Sequence, residues 1–283
     1  MQTRTLDFPL ISNGHTLAAA PDRLGWLTPS DPSAPIERLR EQYRADGYLW
    51  LQGVLDRAEV LALRERYLNT FDAAQGNTQD ERKVLLEFVR TAAYEAFCLS
   101  PRLWQFYERL LDGAVYLHKR KLIRHVRPYD DNATGAHYDL VYLRGGTDTV
   151  CTSWIPLGDT PVELGGLVYL AGSDAFGRKQ EAEFRAKSAD LSDEDRISAY
   201  NKHMSQTGWL TKDLPSLAER LNARWLMADY AAGDMVIHSA YMIHASTSNQ
   251  TDGVRLSTDI RYQRIRDEID ARWQNHWSLD DML

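Results

Sequence analysis

Apolar residues fall at helical spacing along the first third of the chain and then change rhythm. Ile36, Leu39 and Tyr43 recur every three to four residues and predict a helix over 36–45, stopped by Asp46-Gly47. Tyr48-Leu49-Trp50-Leu51 reads as a short buried strand. A second helix is expected over 55–71, with Val60, Leu61, Leu63 and Tyr67 apolar, and two more over 80–98 and 101–112. From Val115 the runs shorten. Residues 115–118, 121–127, 150–157, 167–170, 235–238 and 255–262 are strand-like and separated by Gly, Asp and Asn turns. Between 174 and 222 the chain is polar and helix-prone again, over 180–189 and 193–204, and a closing helix is expected over 267–277. Residues 1–33 read as an irregular arm over the surface.

Helices followed by many short strands predict a mainly β fold with packed helices. Its core is expected to be a double-stranded β-helix, a jelly roll of the cupin kind. One domain over 1–283 is expected: an arm (1–33), helical support (34–113), a jelly-roll core (114–173 and 223–265), a lid-like insertion (174–222) and a C-terminal helix (266–283).

Composition narrows the partners. The net charge of −7 and the lack of a basic block argue against nucleic acid. No apolar run approaches the ~20 residues that span a bilayer, and Met1–Ala20 lacks a signal-peptide core. Cys98 and Cys151 have no metal-type spacing, and with no disulfide framework a cytoplasmic setting is expected. A small-molecule substrate and a monomer or homodimer complete the expectation.

The candidate chemistry lies in Thr134-Gly135-Ala136-His137-Tyr138-Asp139 and, far downstream, in Met242-Ile243-His244-Ala245-Ser246. In a strand, residues i and i+2 point the same way, so His137 and Asp139 can reach one ion while Tyr138 faces elsewhere. Two imidazoles and one carboxylate hold one face of Fe(II) and leave the other open; a structural zinc site would more often show Cys. Alone, a His-x-Asp is a weak signal. Arg255 strengthens it. It stands eleven residues after His244, in Asp252-Gly253-Val254-Arg255-Leu256, where a turn and a new strand set a guanidinium beside the metal, able to grip a carboxylate in a bidentate pair.

Further motifs concur. Asp46-Gly47-Tyr48-Leu49 leads into Gly53-Val54-Leu55 and a helix; Trp154-Ile155-Pro156-Leu157, Leu164-Gly165-Gly166-Leu167, Ala171-Gly172-Ser173-Asp174, Gly233-Asp234 and Asn249 follow in order. From about Ala45 to Tyr262 the chain resembles the phytanoyl-CoA dioxygenase family of Fe(II)/2-oxoglutarate oxygenases. Departures fall at turn positions: Ala171 for Pro, Asp174 for His, Gly165 for Asn. The intact carboxylate argues against the related halogenases, where a small residue stands instead.

The resemblance implies Fe(II) on His137, Asp139 and His244, with 2-oxoglutarate and O2 as co-substrates and Arg255 on the far carboxylate of 2-oxoglutarate. It implies Ser246 in support of that carboxylate, Trp154 at the border of the co-substrate pocket, and Lys121 as an auxiliary anion contact. Lys121, Ile123 and His125 are expected on one strand face. His118, His125 and His238 are read as hydrogen-bonded structural or pocket residues rather than ligands. Tyr138, Tyr142, Arg144 and Tyr241 are candidates for lining the substrate cavity, with core or surface packing as the competing reading. The implied reaction oxidises an unactivated C–H bond of a small molecule and releases succinate and CO2. Alternatives are an inactive metal-binding module on the same fold and a cupin-type metalloenzyme that needs no keto acid.

Overall fold

The computed structural model describes residues 6–73, 78–205 and 208–278; residues 1–5 of the arm and 279–283 of the closing segment lie outside them. The arm does not lie loosely over the surface. Its hairpin, β1 (Ile11–Ser12) and β2 (His15–Thr16), buries Leu10, Ser12 and Leu17, and β3 (Leu24–Trp26) enters a sheet. Apolar Leu10, Leu17 and Leu24 need a partner surface, and they find it in the second of the three apolar clusters.

Helix α1 (Ile36–Asp46) ends at Gly47, whose φ of +77° suits glycine and lets its N–H reach Tyr43 O. Strand β4 (Tyr48–Leu51) follows. Helix α2 (Arg57–Asp72) starts on Asp56, which accepts the N–H groups of Ala58 and Glu59, and buries Val60, Leu63, Tyr67 and Phe71 along one face. The single helix expected over 80–98 is two, α3 (Thr78–Phe88) and α4 (Ala92–Cys98), because Thr91 leaves the helical conformation and caps α4 through Tyr94 N. Helix α5 (Pro101–Leu111) follows with Pro at its start.

The strands come next: β5 (Val115–Leu117), β6 (Leu122–Val126), a single turn α6 (Leu140–Leu143), β7 (Cys151–Pro156) and β8 (Leu167–Leu170). The insertion is helical: α7 (Ser173–Lys187), α8 (Asp193–Ser205) and α9 (Leu214–Arg220). Then come β9 (Trp225–Met227), β10 (Met235–Ser239), β11 (His244–Ser246) and β12 (Arg255–Arg264). The closing helix does not form. One 3-10 turn, Ala271–Trp273, replaces it, because buried Asp270 is held by Gly145 N, Arg272 N and the Arg272 guanidinium.

The larger sheet runs β4-β10-β7-β12-β5, with β6 pairing the opposite end of β12; the smaller runs β11-β8-β9-β3. All pairs are antiparallel except β3 with β9. This is the double-sheet jelly roll with helices on one sheet that the sequence predicts. The alternation of β12 sorts the interior. Leu256, Ile260 and Tyr262 join the helix-side core with Leu49, Leu51, Ile155 and Ile237. Arg255, Ser257, Asp259, Arg261 and Gln263, the other face, are all buried as well. A row of polar side chains is thus enclosed between the sheets.

Helix α7 sits tightly on the β10–β11 connection. A methyl at Gly177 would stand 2.2 Å from Tyr241 O, a backbone atom that cannot step aside. Gly177→Ala is therefore expected to destabilise the protein by about 1–3 kcal/mol, the usual cost of overpacking, read as a lowered melting temperature; an unchanged one would contradict this packing.

Candidate metal centre

His137 and His244 face each other as a backbone-paired couple: His137 N donates to His244 O at 3.0 Å and His244 N to His137 O at 2.9 Å. Their rings lie 4.3 Å apart between centroids. His137 Nδ1 donates to Gly135 O (2.8 Å) and His244 Nδ1 to Met242 O (3.0 Å). A carbonyl only accepts, so both rings carry the proton on Nδ1 and turn a bare Nε2 inward, the tautomer a metal needs. Burial is the main cause that holds both imidazoles below their ordinary pKa, so they stay neutral.

Asp139 reaches the same point by a different route from the one expected. It is not on a strand; its backbone is already helical (φ −65°, ψ −28°) at the head of α6. Of these two ligands, His137 is in a β-bridge and Asp139 is not, yet Asp139 Oδ1 lies 3.9 Å from each Nε2. The three ligand atoms fall within 4.8 Å of one another and all three side chains are buried. Burial would raise the Asp139 pKa, but Arg261, then His238 and His244, outweigh it and hold the carboxyl well below its ordinary range. One anion and two bare nitrogens, with no proton between them, fit a divalent cation of mixed N/O preference.

A cavity opens on this point. Arg255, Ser246 and Trp154 line it. The Arg255 guanidinium is buried; among the described residues it donates one hydrogen bond, to Ser257 Oγ (2.9 Å), and its Nε donates none. No carboxylate of the described residues pairs with it. Burial, then the neighbouring Arg124, pulls its pKa down to about 10. Ser246 Oγ accepts Thr134 N at 2.8 Å and so keeps its own proton to donate. Trp154 packs on Tyr230 (4.8 Å between centroids) and presents a wall.

Lys121 is a correction. Its ammonium is buried on the helix side of β6, 5.8 Å above the Tyr94 ring and 4.0 Å from Glu95, and does not line the cavity. Lys121, Ile123 and His125 do share a face, but it is the face toward the helices; Tyr67 and Phe71 hold His125. The opposite face carries Arg124 into the cavity, where it pairs with Asp259 at 2.9 Å.

The substrate-lining candidates divide. Tyr138 and Arg144 are spent on Glu181 of α7: Tyr138 donates its O–H at 2.7 Å and Arg144 its guanidinium at 2.5–3.1 Å, in a fully buried network. They fasten the insertion to the barrel instead of lining the cavity. Tyr241 donates to Asp148 (2.5 Å) beneath Arg178 and is likewise outside the cavity. Tyr142 stays beside the centre, edge-on to His137 at 5.7 Å. His118 is tied to Gln263, away from the metal. His238 does line the cavity. Besides Arg124, sequence reasoning missed Thr152, Arg261 and Asp259; for Asp259 and Arg261 the usable signal was the alternating polar row of β12.

Known proteins resemble this chain across most of its length. The 1-deoxypentalenic acid 11-beta-hydroxylase of Streptomyces arenae is 26% identical over 246 residues, covering 80% of this chain and 81% of the relative. The same-named enzyme of Streptomyces exfoliatus is 25% identical with the same coverage. Among solved structures, the epimerase SnoN in complex with Fe3+, alpha ketoglutarate and nogalamycin RO superposes with a TM-score of 0.59 at 21% identity, covering 89% of this chain and 94% of that one. EctD from S. alaskensis gives 0.59 at 14% identity, over 98% and 89%. These two share the fold. The family model for phytanoyl-CoA dioxygenase matches residues 43–257, which contain all three candidate ligands and Arg255, and the chain therefore belongs to the phytanoyl-CoA dioxygenase family of iron(II)- and 2-oxoglutarate-dependent oxygenases.

Proposed function

We propose that this oxygenase oxidises an unactivated C–H bond of a small organic molecule, with His137, Asp139 and His244 as its iron ligands. When bound, iron and 2-oxoglutarate supply the oxidising chemistry, with O2 consumed and succinate and CO2 released. The protein's share is positioning. The two Nε2 atoms and Asp139 Oδ1 hold one face of the metal. Arg255 pairs with the far carboxylate of 2-oxoglutarate and Ser246 adds a hydroxyl donor to it. Trp154, Leu167 and Ala245 give the cavity apolar walls that exclude water. Tyr142, beside His137, borders the substrate. The hydroxylase names of the Streptomyces relatives favour C–H hydroxylation of a small acid.

The observation that carries this reading is Arg255, a buried guanidinium without a carboxylate partner, lining the same cavity as three convergent ligands. An isolated buried charge is costly unless something pairs with it. An inactive binding module has no use for that arrangement. The test is succinate release from 2-oxoglutarate by iron-loaded protein. Release that requires both iron and O2, and that rises with the right small molecule, is the expected outcome. A protein that binds iron yet forms no succinate with a broad set of small molecules would speak for the inactive module. Among the described residues no helix is long and apolar enough to cross a membrane.

A further inference from the structure

We propose that Thr152, His238 and Arg261 form a clamp that holds Asp139 as a one-oxygen ligand, making them positioning residues of the metal centre. The inference rests on the iron-ligand reading above and deepens it.

The three residues stand in one register row across the larger sheet: His238 on β10 opposite Thr152 on β7, and Thr152 opposite Arg261 on β12. Neighbours in a row point to the same side of a sheet. All three are buried, and all three converge on the Asp139 carboxylate, which arrives from the turn ahead of α6. The Thr152 hydroxyl donates to Oδ2. His238 Nε2 faces the same oxygen at 3.5 Å and has no other partner among the described residues. Its ring is oriented from behind, where Tyr169 O–H meets Nδ1 at 2.7 Å. The tautomer that satisfies both neighbours takes the Tyr169 proton at Nδ1 and directs an Nε2–H at the carboxylate.

Arg261 approaches the other oxygen. Its Nη2 donates to Oδ1 at 3.1 Å, while Nε and Nη1 are buried without partners and Trp273 covers the guanidinium at 5.6 Å. A buried guanidinium whose one hydrogen-bond partner among the described residues is Asp139 is an expensive way to stabilise a fold. It is well suited to fixing one carboxylate in one rotamer. With Oδ2 capped from two sides, Oδ1 is left at 3.9 Å from both His137 Nε2 and His244 Nε2. A carboxylate held to one oxygen would occupy fewer positions on a bound metal than one that used both, leaving more for co-substrate.

The test uses the full chain and Co(II) alone as probe, titrated by its visible absorption. Thr152→Val keeps shape and removes one donor; Arg261→Gln removes the charge; Arg261→Lys keeps it. In Thr152→Val and Arg261→Gln the Kd for Co(II) is expected to rise about 10–100-fold, the usual cost of losing an outer partner of a metal ligand. The absorption band should also change shape as the carboxylate turns, and Arg261→Lys should recover part of the affinity. Unchanged melting temperature certifies each variant as folded; should Arg261→Gln fail that control, Thr152→Val decides. Wild-type Kd and spectrum in the folded variants would overturn the clamp. So would weakened binding with an unaltered band and no rescue by Lys, which marks a merely structural role. Failure of the wild-type protein to bind Co(II) would instead strike the ligand assignment beneath it.

Discussion

His137→Ala and His244→Ala are each expected to abolish iron-dependent succinate formation while the protein stays folded. Each imidazole supplies one of two bare Nε2 atoms, and without it only one imidazole and the Asp139 carboxylate remain, too few to keep a divalent ion in place for turnover. The loss should exceed the ~10–100-fold that follows removal of an outer partner. The fold is spared for a local reason. The two residues pair through backbone N–H and C=O groups, which alanine keeps. What each variant forfeits is one Nδ1–H bond to a carbonyl, at about 1–3 kcal/mol if that carbonyl stays dry. Metal content by elemental analysis, succinate by chromatography and the melting temperature separate the two effects. Metal-loaded, active His137→Ala protein would contradict the ligand assignment.

Arg255→Ala is expected to divide co-substrate binding from stability in an unusual way. Truncating one member of a buried charged pair costs about 2–5 kcal/mol, so the Kd for 2-oxoglutarate should rise roughly 30- to 4,000-fold. In the absence of 2-oxoglutarate the same change removes a buried, carboxylate-free charge whose pKa burial has already dragged to about 10. The melting temperature without 2-oxoglutarate should therefore hold or rise, because an uncompensated buried charge opposes folding. Wild-type protein should gain thermal stability from 2-oxoglutarate by mass action, and the variant should gain none at the same concentration. Calorimetric titration and melting curves check both halves. Unchanged 2-oxoglutarate affinity would show that the far carboxylate binds elsewhere, and would favour a metalloenzyme that uses no keto acid.

The parts of the site readable from sequence are those whose chemistry dictates residue type. Two His, one Asp and a later Arg carry their own signature, and the jelly roll brings them together. The parts that were not readable depend on register. Lys121 stands just ahead of β6 and Arg124 within it, an odd number of positions apart, so they point to opposite faces, and nothing local states which face is inside. The row Arg255, Ser257, Asp259, Arg261, Gln263 does carry a period of two, and polar residues alternating through a strand buried on both faces mark an enclosed polar surface. That row held the missed residues Asp259 and Arg261. Tyr138 and Arg144 looked like pocket residues by proximity to the motif; their partner Glu181 lies 37 residues or more downstream, beyond any local signal. The closing helix failed because Asp270 is engaged by Gly145, a contact that only the folded chain creates. The arm is held in the same non-local way, by Ser248 N on Ile11 O and Ser12 Oγ on Ser246 O.

Anomalous diffraction from crystals grown with Mn(II) and 2-oxoglutarate puts the metal assignment to its most direct test. The expected result is a single peak bonded to His137 Nε2, Asp139 Oδ1 and His244 Nε2, with the far carboxylate of 2-oxoglutarate against Arg255. A peak anywhere else, or a peak there that lacks any one of the three side chains, would contradict it.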